Sequence, residues 1–252
     1  MYLMPSIKEL RLICQNSETS PNWRSQSLEG RINRVFSIYL TWVFIHLPFT
    51  PNQITIFGTS VYLVGAGFFL KHQYWWNLAG VGMIILSFLL DAVDGELARY
   101  RKMTAGGGVG GAYVEPVSHD VQYAFVFLPI GIGATLATNN LLPLIAGFIA
   151  TSTKLLFRLL EFRYNNLVRF WSEREGQTYG VIKEKKDTPA TFSYFIFRNL
   201  FTGTGMIFPL LTSVLLQHVE WFLYFYALGF FALWVYLFRK QIRRINDKLK
   251  PQ

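Results

Sequence analysis

Cysteine is nearly absent: Cys14 is the only one in the chain, which excludes an internal disulfide framework. Charge is scarce as well. Charged residues are 15% of the 252, against about 25% in an ordinary soluble domain, while apolar residues reach 52% and the mean hydropathy is +0.27. This balance excludes a disordered chain and argues against a soluble two-domain enzyme. Acids are the rarer sign, 15 Asp and Glu against 24 Lys and Arg, for a formal charge of +9. In so apolar a chain that excess points to loops lying against anionic lipid, not to nucleic acid. No signal peptide is expected, because Lys8, Glu9 and Arg11 interrupt any apolar run and Cys14 to Arg34 is polar. No phosphate-binding glycine loop, zinc-ligand spacing or serine-hydrolase elbow occurs.

What is present is a set of long apolar runs. About 20 apolar residues in helix cross a bilayer core. Six stretches qualify, near 53–71, 75–98, 112–138, 141–163, 192–216 and 219–239. The third is apolar only from about Val121 onward, so its first turns must face protein or water. Val35 to Leu47 is shorter and follows Arg31 and Arg34, which reads as an interfacial helix; a short true span is the alternative. Basic and neutral connections alternate. Residues 1–34, 99–110, 164–191 and the tail from Arg239 are rich in Lys and Arg, whereas the connections near Lys71, Asn139 and His218 hold one Lys and no Arg. Six spans with both termini on the cytoplasmic side satisfy this alternation. The expected fold is all-α and polytopic, with an N-terminal segment 1–49, a six-helix domain 50–240 and a basic tail 241–252. Thr50-Pro51-Asn52-Gln53 opens the first span as a capping box with proline in the first turn. Asn52 is also placed to reach a ligand.

Five of the fifteen acids fall in thirty residues: Asp91, Asp94, Glu96, Glu115 and Asp120. Carboxylates inside a membrane cost roughly 2.5–3.5 kcal/mol each, so several together need something positive. Asp91 and Asp94 are i,i+3 and share one face of the second span; Glu115 and His119 are i,i+4 and share a face of the third. The glycine-rich stretch Gly106 to Gly111 reads as a flexible loop that lets the two pairs face each other. Three carboxylates in a partly wet pocket make a hard oxygen site suited to Mg²⁺ or Mn²⁺, with room for two ions. A surface role paired with Arg99, Arg101 and Lys102 is the bland alternative. A cation-coupled transporter is the stronger rival, although its sites usually sit nearer the membrane midplane.

The run Asp91-Ala-Val-Asp94-Gly95-Glu-Leu-Ala98-Arg99, then Gly111-Ala-Tyr-Val-Glu115-Pro-Val-Ser-His119, resembles the signature of the CDP-alcohol phosphatidyltransferase family, D-x2-D-G-x2-A-R followed by G-x3-D-x3-D. The first block matches at every fixed position. The second keeps the spacing but carries Glu115 for the third Asp and His119 for the fourth. The resemblance implies a metal-dependent transfer in which a CDP-alcohol, such as CDP-diacylglycerol, gives its phosphoryl-alcohol group to an acceptor hydroxyl and CMP leaves. It implies Asp91, Asp94 and Glu115 as metal ligands. Gly95, Ala98, Arg99, Gly111 and Asn52 become CDP-alcohol contacts, with close helix packing as the competing account of Gly95 and Ala98. His119 takes the place of the family's proton acceptor. Imidazole suits that task, since histidine ordinarily titrates near about 6.5, and it is a poor partner for hard Mg²⁺. Asp120 ranks second, being about 140° round the helix from Glu115. A catalytically silent relative is the other reading of the two departures. The resemblance also implies a homodimer and a bacterial inner membrane.

Lys154, Arg158 and Glu161 lie at i, i+4, i+7 on the fourth span, and Arg198 lies inside the fifth. Cations within a membrane face a pocket or a partner. Lys154, Arg158 and Arg198 are therefore expected to bind the phosphate of a phosphorylated acceptor alcohol; snorkelling to the surface is the alternative. Residues 177–188 read as a solvated basic loop.

Overall fold

The computed structural model describes residues 5–15, 28–101, 109–174 and 199–248, and among these there are helices and no strands. Eight α-helices follow in order: α1 (Ile7–Gln15), α2 (Leu28–Phe44), α3 (Pro51–Phe68), α4 (Tyr74–Tyr100), α5 (Val109–Thr138), α6 (Leu142–Arg174), α7 (Ile207–Leu215) and α8 (Val219–Lys248). Among the described residues five stretches are long and apolar enough to cross a membrane: Pro51–Lys71, Tyr74–Tyr100, Gly111–Thr138, Leu142–Arg174 and Val219–Asn246. Less than half of each apolar window is buried within the molecule, so the remainder is left for lipid.

The expected fifth span differs. Its residues 192–198 lie outside the described residues, 201–206 turn, and α7 holds only nine residues. The glycine stretch differs too, since Val109, Gly110 and Gly111 belong to the first turn of α5. The expected Val35–Leu47 helix overlaps α2, which starts earlier, at Leu28, and ends earlier, at Phe44.

Local chemistry sets these boundaries. Thr50 caps α3: its hydroxyl accepts from the Gln53 amide at 3.3 Å, while Gln53 Oε1 accepts from the Thr50 amide at 2.9 Å. The capping box expected at this point is therefore formed. The short connections turn through residues in the left-handed region, His72 (φ 46°), Asn139 (52°) and Gln217 (59°).

α3 packs along α4, α5 along α6, and α6 along α8. Small residues permit the first of these approaches. A Cβ on Gly65 would lie 2.6 Å from Met83 Cβ, and one on Gly80 would lie 2.7 Å from the Gly65 carbonyl oxygen. The bulk of the core is aromatic, with Phe69, Phe127, Tyr226 and Phe230 all at 1% exposure or less. A second apolar cluster, Ile54, Val61, Leu90, Val93 and Leu97, joins α3 to α4 with Leu40 and Phe44 of α2 against it. Together they bring the start of α3, the end of α4 and the start of α5 to one end of the bundle.

Candidate active site

The last turns of α4 carry Asp91 and Asp94 on one stripe. Asp94 is 5% exposed and accepts a hydrogen bond from the Thr55 hydroxyl of α3 at 2.5 Å. The charges of Asp91 and of Glu115 on α5 both act on Asp94, so the three carboxylates share one electrostatic neighbourhood. Glu115 itself is exposed. His119, one turn further along α5, points Nε2 at Asp91 Oδ1 across 3.7 Å, and both side chains keep about a quarter of their surface open, 24% and 29%. On the other ring edge, His119 Nδ1 lies 3.4 Å from Gln122 Oε1. Of the two pairs, Asp91 and His119 meet across α4 and α5, and Glu115 is near enough for its charge to act on Asp94.

Asn52 stands one turn before Thr55 on the same side of α3. Its Oδ1 is buried and has no hydrogen-bond partner. Such an orphaned acceptor is uncommon and asks for a ligand or an ion. Thr55 and Gln122 are site residues that the sequence reading missed. The same signal existed for both, the i,i+3 spacing of Thr55 from Asn52 and of Gln122 from His119.

The neighbouring residues divide. Gly95 lies beside Arg99, whose nitrogens would be 3.4 Å and 3.7 Å from a Cβ there. Arg99 Nε donates to the Cys14 carbonyl oxygen at 2.6 Å. Ala98 is 1% exposed, and Gly111 is buried in the first turn of α5.

The basic stripe of α6 faces the same region. Lys154 is 5% exposed and its Nζ donates to the Phe201 carbonyl oxygen at 3.0 Å, between the rings of Tyr123 and Phe230 at 4.5 Å each. Arg158 is bonded through Nε to Asp120 and lies 5.2 Å from the Tyr123 ring centre. Tyr123 in turn stacks with His119 at 6.4 Å. One aromatic ring therefore connects the imidazole to both cations. Arg198 lies outside the described residues.

Among the described residues no three His, Cys, Asp or Glu side chains close round a single point. The donor set still fits a hard cation. Asp91, Asp94, Glu115 and the orphaned Asn52 oxygen are all oxygen donors, the chemistry Mg²⁺ and Mn²⁺ take, often with water completing the shell.

A polytopic helical bundle that brings acidic side chains of α4 and an imidazole of α5 together at one end of its apolar helices defines the class, a multi-pass membrane protein with a polar site at one end of its spans. The comparisons with known proteins narrow the class. The profile of the CDP-alcohol phosphatidyltransferase family matches residues 48–226, and the chain belongs to that family. The crystal structure of Mycobacterium tuberculosis phosphatidylinositol phosphate synthase with CDP-DAG bound shares the fold, with a TM-score of 0.55 and 17% identity, covering 82% of this chain and 93% of that one. The Escherichia coli (strain K12) inner membrane protein YnjF is 37% identical over 59 residues, a match that spans 23% of this chain and 27% of that protein.

Proposed function

We propose that the chain transfers a substituted phosphoryl group from a CDP-alcohol to the hydroxyl of a second alcohol, releasing CMP. The observation that carries this reading is the meeting of Asp91, one turn before Asp94 on α4, with His119 on α5 at 3.7 Å. CDP-diacylglycerol is the proposed donor, because the site opens among membrane helices and the mycobacterial fold relative was crystallised with CDP-DAG. A divalent cation held by Asp91, Asp94 and Glu115 would neutralise charge growing on the leaving phosphate; Mg²⁺ or Mn²⁺, as two ions, is the proposed cofactor.

The chain's own residues have separable tasks. Thr55 fixes the carboxylate of Asp94. Asn52, Gly95, Arg99 and Gly111 line the approach of the CDP-alcohol, and the small side chain of Ala98 keeps the helix close-packed behind it. His119 takes the proton of the acceptor hydroxyl on Nε2, and Asp91 beside that nitrogen stabilises the imidazolium so formed. Gln122 on Nδ1 favours the tautomer whose Nε2 is free to accept. Lys154, Arg158 and Arg198 bind the phosphate of a phosphorylated acceptor, for which Arg158 must exchange Asp120 for substrate. We propose in addition that α7 with the residues before it completes a sixth crossing, that both termini face the cytoplasm of a bacterial inner membrane, and that the chain works as a homodimer.

Purified protein in nanodiscs, given CDP-diacylglycerol, Mg²⁺ and a panel of polar alcohols, is expected to release CMP with some of them. Absence of CMP across the panel with both Mg²⁺ and Mn²⁺ rejects the reading in favour of a silent relative, and ion flux without CMP would favour a transporter.

A further inference from the structure

Glu96 lies two residues beyond Asp94 in a position that the family signature leaves free, and it points the other way. Its side chain is 1% exposed. Oε1 accepts from Gln15 Nε2 at 2.6 Å and Ser37 Oγ at 2.7 Å; Oε2 accepts from Thr41 Oγ1 at 2.6 Å. Gln15 is the last residue of α1, and Ser37 and Thr41 are one turn apart on α2, both at 0% exposure. The Gln15 amide spends its second hydrogen on the Arg34 carbonyl oxygen at 2.8 Å, so one carboxylate gathers α1 and α2 together. Leu10, Cys14 and Ile38 wall this centre at 0% exposure, with Tyr100 of α4 against them. The end of α4 and the residue after it add side-chain bonds to main-chain oxygens: Arg99 Nε donates to the Cys14 oxygen at 2.6 Å, and Arg101 to the oxygens of Phe49 at 2.6 Å and Leu47 at 3.0 Å.

We propose that Glu96 is a positioning residue of the active site: it ties α1 and α2 to the end of α4 and so fixes where Asp94 and Arg99 stand. Three donors from two helices converge on a carboxylate whose own backbone is one residue from Gly95 and two from Asp94. Loosening of this arm, α1 together with α2, therefore frees the turn that carries the site. The effect on turnover rests on the transferase reading, whereas the tie itself does not.

Cys14 reports on the tie, being the chain's only thiol and buried beside it. Burial, and next the charge of Glu96, hold this thiol up to about 11. In full-length protein in nanodiscs, maleimide should label Cys14 slowly. Glu96→Leu should label about ten-fold faster or more, with Glu96→Gln between, as local opening exposes the site. The double change Ser37→Ala with Thr41→Val keeps the Glu96 charge, so faster labelling there reads loosening alone. With CDP-diacylglycerol as donor, Glu96→Leu should lower kcat about ten-fold or more with KM for the donor within about two-fold, the signature of a displaced catalytic group. If Glu96→Leu does not fold, Glu96→Gln and the double change carry both measurements. Unchanged labelling overturns the tie. Faster labelling with unchanged kcat overturns the positioning role. If the unaltered protein releases no CMP, it is the transferase reading that falls, and labelling alone still decides the tie.

Discussion

Asp94 and Glu96 sit two residues apart on one helix and are both buried, at 5% and 1% exposure, yet their surroundings are opposite. Glu96 is supplied with three side-chain donors and is satisfied by the protein alone. Asp94 has one, Thr55, and shares its surroundings with the charges of Asp91 and Glu115. Burying like charges short of donors is costly unless a cation joins them, while a saturated carboxylate is a structural anchor. On the proposed reading the difference separates a group kept for chemistry from a group kept for architecture, within a single turn of helix.

The strongest break of this comparison comes from exchanging the two acids. Asp94→Asn is expected to reduce CMP release by about 10²–10³-fold or to background, as loss of transition-state charge stabilisation does. Its thermal midpoint should stay level or rise, since a strained functional carboxylate is removed. Glu96→Leu should do the reverse at the level of stability, losing about 2 kcal/mol or more because buried donors are left unpaired. EDTA should silence the unaltered protein without unfolding it, and added Mg²⁺ or Mn²⁺ should restore it. An Asp94→Asn variant as unstable as Glu96→Leu would erase the distinction. Next in size is His119→Ala, expected to lower kcat by about 10²–10⁴-fold while CDP-alcohol still binds. A base must be unprotonated to act, so kcat should fall toward acid pH in the unaltered protein. That acid limb should be missing in the variant, and a retained limb would assign it elsewhere.

The two regions are unequally legible in the sequence. The functional side announces itself, because carboxylates are rare in apolar runs and the i,i+3 and i,i+4 spacings alone put Asp91 with Asp94 and Glu115 with His119. The architectural side is silent. Glu96 reads as a member of the same acidic cluster, and only the turn of about 200° between it and Asp94 sends it toward α1 and α2. α1 itself is nine residues, too short to stand out beside the long apolar runs, and of its five apolar residues Leu12 and Ile13 are exposed while Leu10 and Cys14 are buried. Hydropathy also stops too early on α6 and α8, which continue to Arg174 and Lys248 because charged residues extend a helix past the bilayer as readily as apolar ones. α6, at 33 residues, is about 50 Å long against a hydrocarbon core of about 30 Å.

A smaller effect sharpens the comparison on its acceptor side. If Arg158 serves the acceptor, its bond to Asp120 is a resting contact, and Arg158→Gln should raise the acceptor KM about ten-fold, the worth of one charged hydrogen bond, with little change for the donor. Should only stability fall, through the lost link between α5 and α6, Arg158 belongs with Glu96 among the architectural residues.

The smallest expected effect returns to the Glu96 side. The Cys14 thiol is held up to about 11, first by burial and then by the Glu96 charge, from an ordinary value near 9.0. The folded state thus keeps a proton that the unfolded chain gives up earlier. The stability linked to this group is complete below about pH 9 and is lost as pH rises toward about 11. Tyrosines and lysines titrate in the same range, so the quantity to measure is the difference between the unaltered protein and Cys14→Ala. Its thermal midpoint relative to Cys14→Ala should fall between about pH 8 and about pH 10.5 by about a degree or two. In the Glu96→Gln background the fall should be smaller and end at lower pH, because one of the two causes that raise the folded-state value is gone while the unfolded value stays near 9.0. A difference independent of pH would mean that the thiol is not enclosed, and with it that the arm does not close over the far side of α4.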